Sequence, residues 1–317
     1  MVLKDATSAG LARGEQQIDN NLKEKVKKKS MSSFDKDRVV SRLVGIIPGD
    51  SFGSRHLSKA NMVIEAVFED LKVKHKVIQE LEALVSENCI IASNTSAIPI
   101  TKIAEGSKRP QNIIGMHYFS PVDKMPLLEV VTTALASNEA KAAAVEVGIR
   151  QGKTVIVVRD GPGFYTTRIL SPFMVEAGAL LQEGLDIKEL DNHLKKFGFP
   201  VGPVTLFDEV GIDVGNHIQP TLISAFGERM GGANTEMMQE MVKAGFAGRK
   251  TKAGFFLYDG KKKEINPKAV EILKKYHGEI NPNLFLCPDQ PSDPSLPLSQ
   301  FPPRALSPSR TSKIAWP

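Results

Sequence analysis

The sequence predicts an α/β domain built on a mostly parallel sheet, followed by an all-α domain. Short apolar runs alternate with longer amphipathic segments over residues 1–158, as in strands covered by helices. Those runs are almost continuously apolar, which is how strands buried on both faces read. After Asp160-Gly161-Pro162-Gly163 the period turns helical and no long strand run returns.

Val2-Leu3 opens a strand that ends at Asp5, and a long polar helix is expected from about Ala6 to Lys29. Asn61–Val67 reads as a buried strand. Leu71, Val77, Ile78, Leu81, Leu84 and Val85 then recur with helical spacing. Strands follow at Cys89–Ala92, Ile113–Met116 and Val130-Val131. Asn138 is placed to cap a helix carrying Val145 and Ile149, and Thr154–Val158 closes the sheet. In the second domain, Leu170, Phe173, Met174, Ala177 and Leu181 form one helix face. Asp186 caps the next helix; Gly202-Pro203 and Asn266-Pro267 start two more, with proline in the first turn. The expected division is 1–158, 159–284 and a Pro/Ser-rich tail over 285–317. Residues 287–317 hold eight prolines and six serines, too little apolar surface to offset the entropy of ordering.

A chain of 317 residues with 41% hydrophobic and 24% charged content fits a globular protein of two domains. The net charge of +5 is gathered partly at Lys23–Lys29 and Lys261–Lys263, which read as solvated helix faces. No aromatics interleave with them, which argues against nucleic acid. Cys89 and Cys287 are too far apart to suggest a disulfide framework or metal-ligand spacing, so no metal is expected. No apolar run approaches the ~18 residues of a membrane span.

Candidate chemistry sits at strand ends. His117 lies in Gly-Met-His-Tyr-Phe-Ser-Pro (115–121), Glu129 follows in Leu-Leu-Glu-Val-Val, and Ser96 ends Ser-Asn-Thr-Ser (93–96). A base, a carboxylate able to orient it and a hydroxyl are the parts of an acid–base site. Each alone reads more simply: a satisfied histidine, an exposed glutamate, a helix-capping serine. The α/β pattern also suggests a nucleotide site, with Asp5 in the acidic position that ends the second strand of a doubly wound sheet. No G-x-G-x-x-G loop occurs anywhere in the sequence. The fold expected is therefore an incomplete Rossmann-type sheet, lacking its first strand, Gly-rich loop and first helix. The lost strand would lie between two others and leave two apolar edges to pair with each other or with something else.

Asn94-Thr95-Ser96, Gly-Met-His-Tyr-Phe-Ser-Pro, the Glu129 strand and Asp-Gly-Pro-Gly-Phe-Tyr-Thr-Thr-Arg (160–168) together resemble the 3-hydroxyacyl-CoA dehydrogenase family. Gly-Arg-Lys-Thr (248–251) and Gly-Phe-Phe-Leu-Tyr (254–258) extend the likeness, which covers about residues 1–284. Within the family the chain looks most like the mitochondrial trifunctional type. The resemblance implies NAD-dependent oxidation of (S)-3-hydroxyacyl-CoA in β-oxidation, with His117 as general base, Glu129 as its partner and Ser96 on the substrate oxygen. It implies NAD contacts at Asp5, Glu69, Lys74, Ser96 and Lys250, and substrate contacts at Ser96, Thr167 and Lys28. It also implies a homo-oligomer or a β-oxidation complex subunit, and a mitochondrial location. Thr167 and Ser120 replace the family's more usual asparagines. Two other readings compete: a non-catalytic acyl-CoA-binding or subunit-interaction protein, and a 6-phosphogluconate-type dehydrogenase. The second is disfavoured because such enzymes resemble families with a lysine base.

Overall fold

The computed structural model describes residues 1–50, 55–230, 235–260 and 262–278. The expected tail and Cys287 lie outside the described residues. Strands β1 (Val2–Lys4) and β2 (Val44–Ile46) pair in parallel as a sheet of two. Between them run helices α1 (Ser8–Lys27) and α2 (Ser33–Val40). A sheet of five follows in the order β3 (Met62–Glu65), β4 (Ile90–Ser93), β5 (Ile113–Tyr118), β6 (Leu127–Thr132) and β7 (Thr154–Arg159). All its pairings are parallel except β5 with β6. Helices α3 (Leu71–Glu82), α4 (Ile100–Ala104) and α5 (Asn138–Arg150) connect these strands.

The central strands β4, β5 and β6 are buried on both faces, which is why they read as continuous apolar runs. Ile91, Ile113 and Val131 face one core with Ile78, Leu81, Ile100 and Ile103 of α3 and α4. Ile90, Ala92, Ile114, Met116, Leu128 and Val130 face the other, against Ala140 and Ala144 of α5. Val2, Val44 and Ile46 of the small sheet pack into the first of these cores. β1 and β3 belong to separate sheets, so of the two expected arrangements the pairing of the open edges with each other is not the one adopted.

The second region contains α6 (Thr166–Gln182), α7 (Ile187–Phe197), α8 (Pro203–Val210), α9 (Ile212–Phe226), α10 (Glu236–Lys243) and α11 (Pro267–Lys275). Asp186 caps α7 through the amides of Lys188 and Glu189, Gly202 precedes α8, and Asn266 caps α11, all at the positions read from sequence. Three details differ. Ser137, not Asn138, caps α5 by accepting from Ala140 N. Ser96 does not cap α4: Asp160 does so from sixty residues away, accepting from the amides of Ile100 and Thr101. A hairpin of β8 (Phe256–Asp259) and β9 (Lys262–Ile265) is added to the helices. Its second strand is the lysine run taken for a helix face; Lys263 Nζ lies 3.7 Å above the Phe256 ring.

The Gly-Phe-Phe-Leu-Tyr segment is held by Asp208 of α8, which is buried. Its carboxylate accepts from Phe255 N and Phe256 N, both at 2.9 Å, and from Tyr258 Oη at 3.0 Å. Glycine is needed at 254 because a Cβ there would stand 2.0 Å from Asp208 Oδ1. Burial raises the Asp208 pKa against the pull of those donors. Asp208→Ala strands three buried donors, so a loss of stability on the order of 3 kcal/mol is expected. Urea denaturation checks this; an unchanged midpoint would contradict the anchoring role.

Candidate active site

His117 and Glu129 are directly opposed residues of the antiparallel β5–β6 pair, so both side chains leave the sheet on one face. Their spacing of twelve in sequence is the length of that hairpin. The His117 ring nitrogen Nδ1 lies 2.6 Å from Glu129 Oε2, and both residues are buried. An ionised carboxylate can only accept, so Nδ1–H donates and Nε2 is left for other work. Phe119 and Phe164 flank the imidazole, with ring centroids at 4.4 and 5.9 Å.

Glu129 has a second task. Its Oε1 accepts from the amides of Tyr165 (3.1 Å) and Thr166 (2.9 Å), and its Oε2 also accepts from Thr166 Oγ1 at 2.7 Å. These are orphan donors at the start of α6, so a strand carboxylate caps the first helix of the second domain. The turn that aims them needs two successive positive φ values, 69° at Gly163 and 47° at Phe164. Burial opposes the charge of Glu129, but bonds from His117 and Thr166 outweigh it and hold its pKa below the ordinary glutamate value.

Ser96 reaches the same edge of the sheet through its neighbour Asn94, whose Oδ1 accepts from Tyr118 N at 2.9 Å. Ser96 N in turn donates to Glu69 Oε1 at 3.1 Å. Glu69 also accepts from Ala97 N and from the Thr95 hydroxyl, and lies 3.4 Å from Lys74 Nζ. Lys74 is completely buried and bonds both oxygens of Glu65 at 3.1 Å. Glu69, Lys74 and Ser96 are therefore brought together, although the Lys74 ammonium is already taken up by carboxylates. Asp5 stands at the end of β1 and accepts from Thr7 N and Thr7 Oγ1.

The remaining predicted residues go elsewhere. Lys250 Nζ bonds Asp213 of α9 at 2.6 Å, inside the helical region. Lys28 closes α1 and pairs with Glu24 at 3.8 Å. Thr167 lies beside Thr166 in the first turn of α6. Sequence reasoning passed over Thr166, Asn94 and Glu65. The first two lie inside motifs already singled out, and only partner geometry separates Thr166 from Thr167. Among the described residues no cluster of His, Cys, Asp and Glu could hold a metal ion, and no helix is long and apolar enough to cross a membrane.

Fold and site together define a two-domain protein: an α/β nucleotide-type domain joined to a helical one, with a buried histidine–carboxylate pair at the junction. Residues 1–161 match the NAD-binding domain of 3-hydroxyacyl-CoA dehydrogenase, and residues 163–258 match its C-terminal domain. The chain belongs to the 3-hydroxyacyl-CoA dehydrogenase family. It is 42% identical over 271 residues to the fatty acid oxidation complex subunit alpha of Vibrio campbellii, covering 86% of this chain and 38% of the relative. The corresponding subunit of Shewanella halifaxensis is 44% identical over 273 residues, with the same coverage. The chain thus spans well under half the length of these curated relatives. Among solved structures it is similar to (S)-3-hydroxybutyryl-CoA dehydrogenase PaaH1 from Ralstonia eutropha, with TM-score 0.74 and 34% identity over 81% of this chain and 90% of that one. M. tuberculosis FadB2 gives TM-score 0.76 at 30% identity with the same coverage. These relatives are bacterial and lend the mitochondrial expectation no support.

NAD is the cofactor of the matched domain. Asp5 ends β1, and the Glu69–Ser96 network lies just past the ends of β3 and β4, the side of a doubly wound sheet where nucleotides bind.

Because the Glu129 pKa is depressed on folding, its contribution to stability is complete above about pH 4.5, the ordinary value, and is lost as pH falls through the folded value. Glu129→Gln is expected to lower stability at pH 7 by about 2 kcal/mol. The gap to the native chain should then narrow as pH is lowered toward 3. Urea midpoints at a series of pH values test this, and a gap constant with pH would contradict it.

Proposed function

We propose that this chain carries NAD-dependent (S)-3-hydroxyacyl-CoA dehydrogenase activity, oxidising the 3-hydroxyl to a 3-ketone in fatty acid oxidation. The observation that carries the reading is the buried His117–Glu129 pair at 2.6 Å, set on the cofactor side of a matched NAD-binding domain. When bound, NAD⁺ supplies the acceptor for the hydride that leaves C3.

His117 Nε2, the nitrogen not engaged by Glu129, accepts the proton of the 3-hydroxyl as the C3–O bond becomes a carbonyl. Glu129 keeps the proton on Nδ1 and stabilises the imidazolium that forms. The Ser96 hydroxyl, at the same sheet edge, is assigned to the substrate oxygen, and Thr167 to the acyl thioester beside it. Asp5 is assigned to the adenosine ribose. Glu69 and Lys74 are assigned to the ribose side through the network that positions Ser96. Lys250 and Lys28, whose bonds lie elsewhere, are weaker candidates for cofactor and CoA phosphate contacts. The names of the curated relatives support a place in a β-oxidation complex, and self-association is the alternative assembly. A mitochondrial location rests on the sequence resemblance alone.

Acetoacetyl-CoA reduction by NADH, followed by absorbance, tests the reading. His117→Ala is expected to lower kcat by about 10²–10⁴-fold. Turnover unaffected by that substitution would contradict the role of His117. Acyl-CoA binding without any turnover would favour the non-catalytic alternative.

A further inference from the structure

The loop between β5 and β6 joins the strand of His117 to the strand of Glu129, and it has little apolar packing to hold it. Residues 120–126 are exposed at every position, Val122 and Met125 among them. The loop closes on itself through Lys124 N and Met125 N, which both donate to Pro121 O at 3.0 Å. The carbonyls that a single turn of this kind leaves over need donors from elsewhere.

Those donors come from the connection between α5 and β7. Lys153 Nζ donates to Val122 O and, at 2.8 Å, to Met125 O. Thr154 N donates to Pro126 O at 2.8 Å. The same connection reaches the base of the loop. The Tyr118 hydroxyl donates to Gln151 Oε1 at 2.9 Å, and Lys153 Nζ stands 6.0 Å above the Tyr118 ring. One ammonium thus ties two carbonyls three residues apart, with the stronger bonds a charged donor makes.

We propose that Lys153 is a positioning residue for the reaction: it holds the loop so that Phe119 keeps the imidazole in the plane from which Nε2 meets the substrate hydroxyl. The inference rests on the dehydrogenase reading above. Phe119 is the first residue of the loop, and its ring centroid stands 4.4 Å from that of His117. A single bond from Nδ1 to Glu129 leaves the imidazole able to pivot, and the Phe119 ring limits that pivot. Proton transfer needs heavy atoms about 3 Å apart, so a misplacement of about 1 Å costs up to about 10²-fold in rate. Lys153 bonds the loop and not the His117–Glu129 pair, so its effect falls on kcat by way of Phe119.

Acetoacetyl-CoA reduction by NADH, measured on the full chain, tests this. Lys153→Met keeps the aliphatic stem and removes the donors; kcat is expected to fall at least about tenfold, with the NADH Kd within about twofold of native. The urea midpoint is expected to stay near the native one, because the loop released is exposed. Lys153→Arg, which can still donate to both carbonyls, is expected to hold kcat within about threefold of native. Phe119→Ala is expected to lower kcat similarly, and the double variant no further, since both act on one link. Lys153→Gln, too short to span both carbonyls, takes the place of Lys153→Met should that variant fail to fold. An unchanged kcat in the lysine variants overturns the proposal. So does a urea midpoint that falls together with kcat and is not rescued by arginine, and so do additive losses in the double variant. These outcomes leave the dehydrogenase reading intact, whereas a native chain without turnover defeats both.

Discussion

The carboxylate of Glu129 is the group on which the arrangement of this protein turns. It accepts from the imidazole of His117 on one side and from Tyr165 and Thr166 at the start of α6 on the other. One buried charge therefore orients the candidate base and joins the sheet domain to the helical domain. A buried carboxylate is tolerated only when its lone pairs are filled, and four donors fill these. The contacts that hold the histidine thus also fix the entry of α6.

The same device recurs through the chain. Asp160 caps α4, Asp191 accepts from Val204 and Thr205 at the start of α8, and Asp208 holds the β8 segment. In each case a carboxylate from one element meets backbone amides of another that would otherwise be orphaned. At Gly202 and Gly254 the approach is so close that a Cβ would collide with the carboxylate, which accounts for glycines that no turn requires. The Gly-Phe-Phe-Leu-Tyr segment owes its recognisable pattern to this packing rather than to chemistry.

Much of the fold was legible because buried strands and amphipathic helices have distinct periods. The strands at Ile90, Ile113 and Thr154, and the caps at Asp186, Gly202 and Asn266, stood where the sequence put them. What escaped was short or polar. Val44–Ile46 has three residues, α2 buries none, and Lys262–Ile265 is a strand written in charged residues. The His117–Glu129 pair was legible as spacing, and the antiparallel register supplied its reason. Thr166 was not legible, since only geometry tells which of two adjacent threonines meets Glu129. Lys74 read alone as a surface residue, because nothing local in the sequence announces burial against Glu65, nine positions earlier.

The dual role of Glu129 is tested most directly by the tautomer of His117, read from long-range ¹⁵N–¹H correlations of the imidazole at neutral pH. The native chain should show His117 protonated at Nδ1 with Nε2 bare, and Glu129→Gln should shift the amides of Tyr165 and Thr166 while loosening that preference. A native His117 protonated at Nε2, or a variant in which the ring and the two amides are undisturbed, would contradict the account.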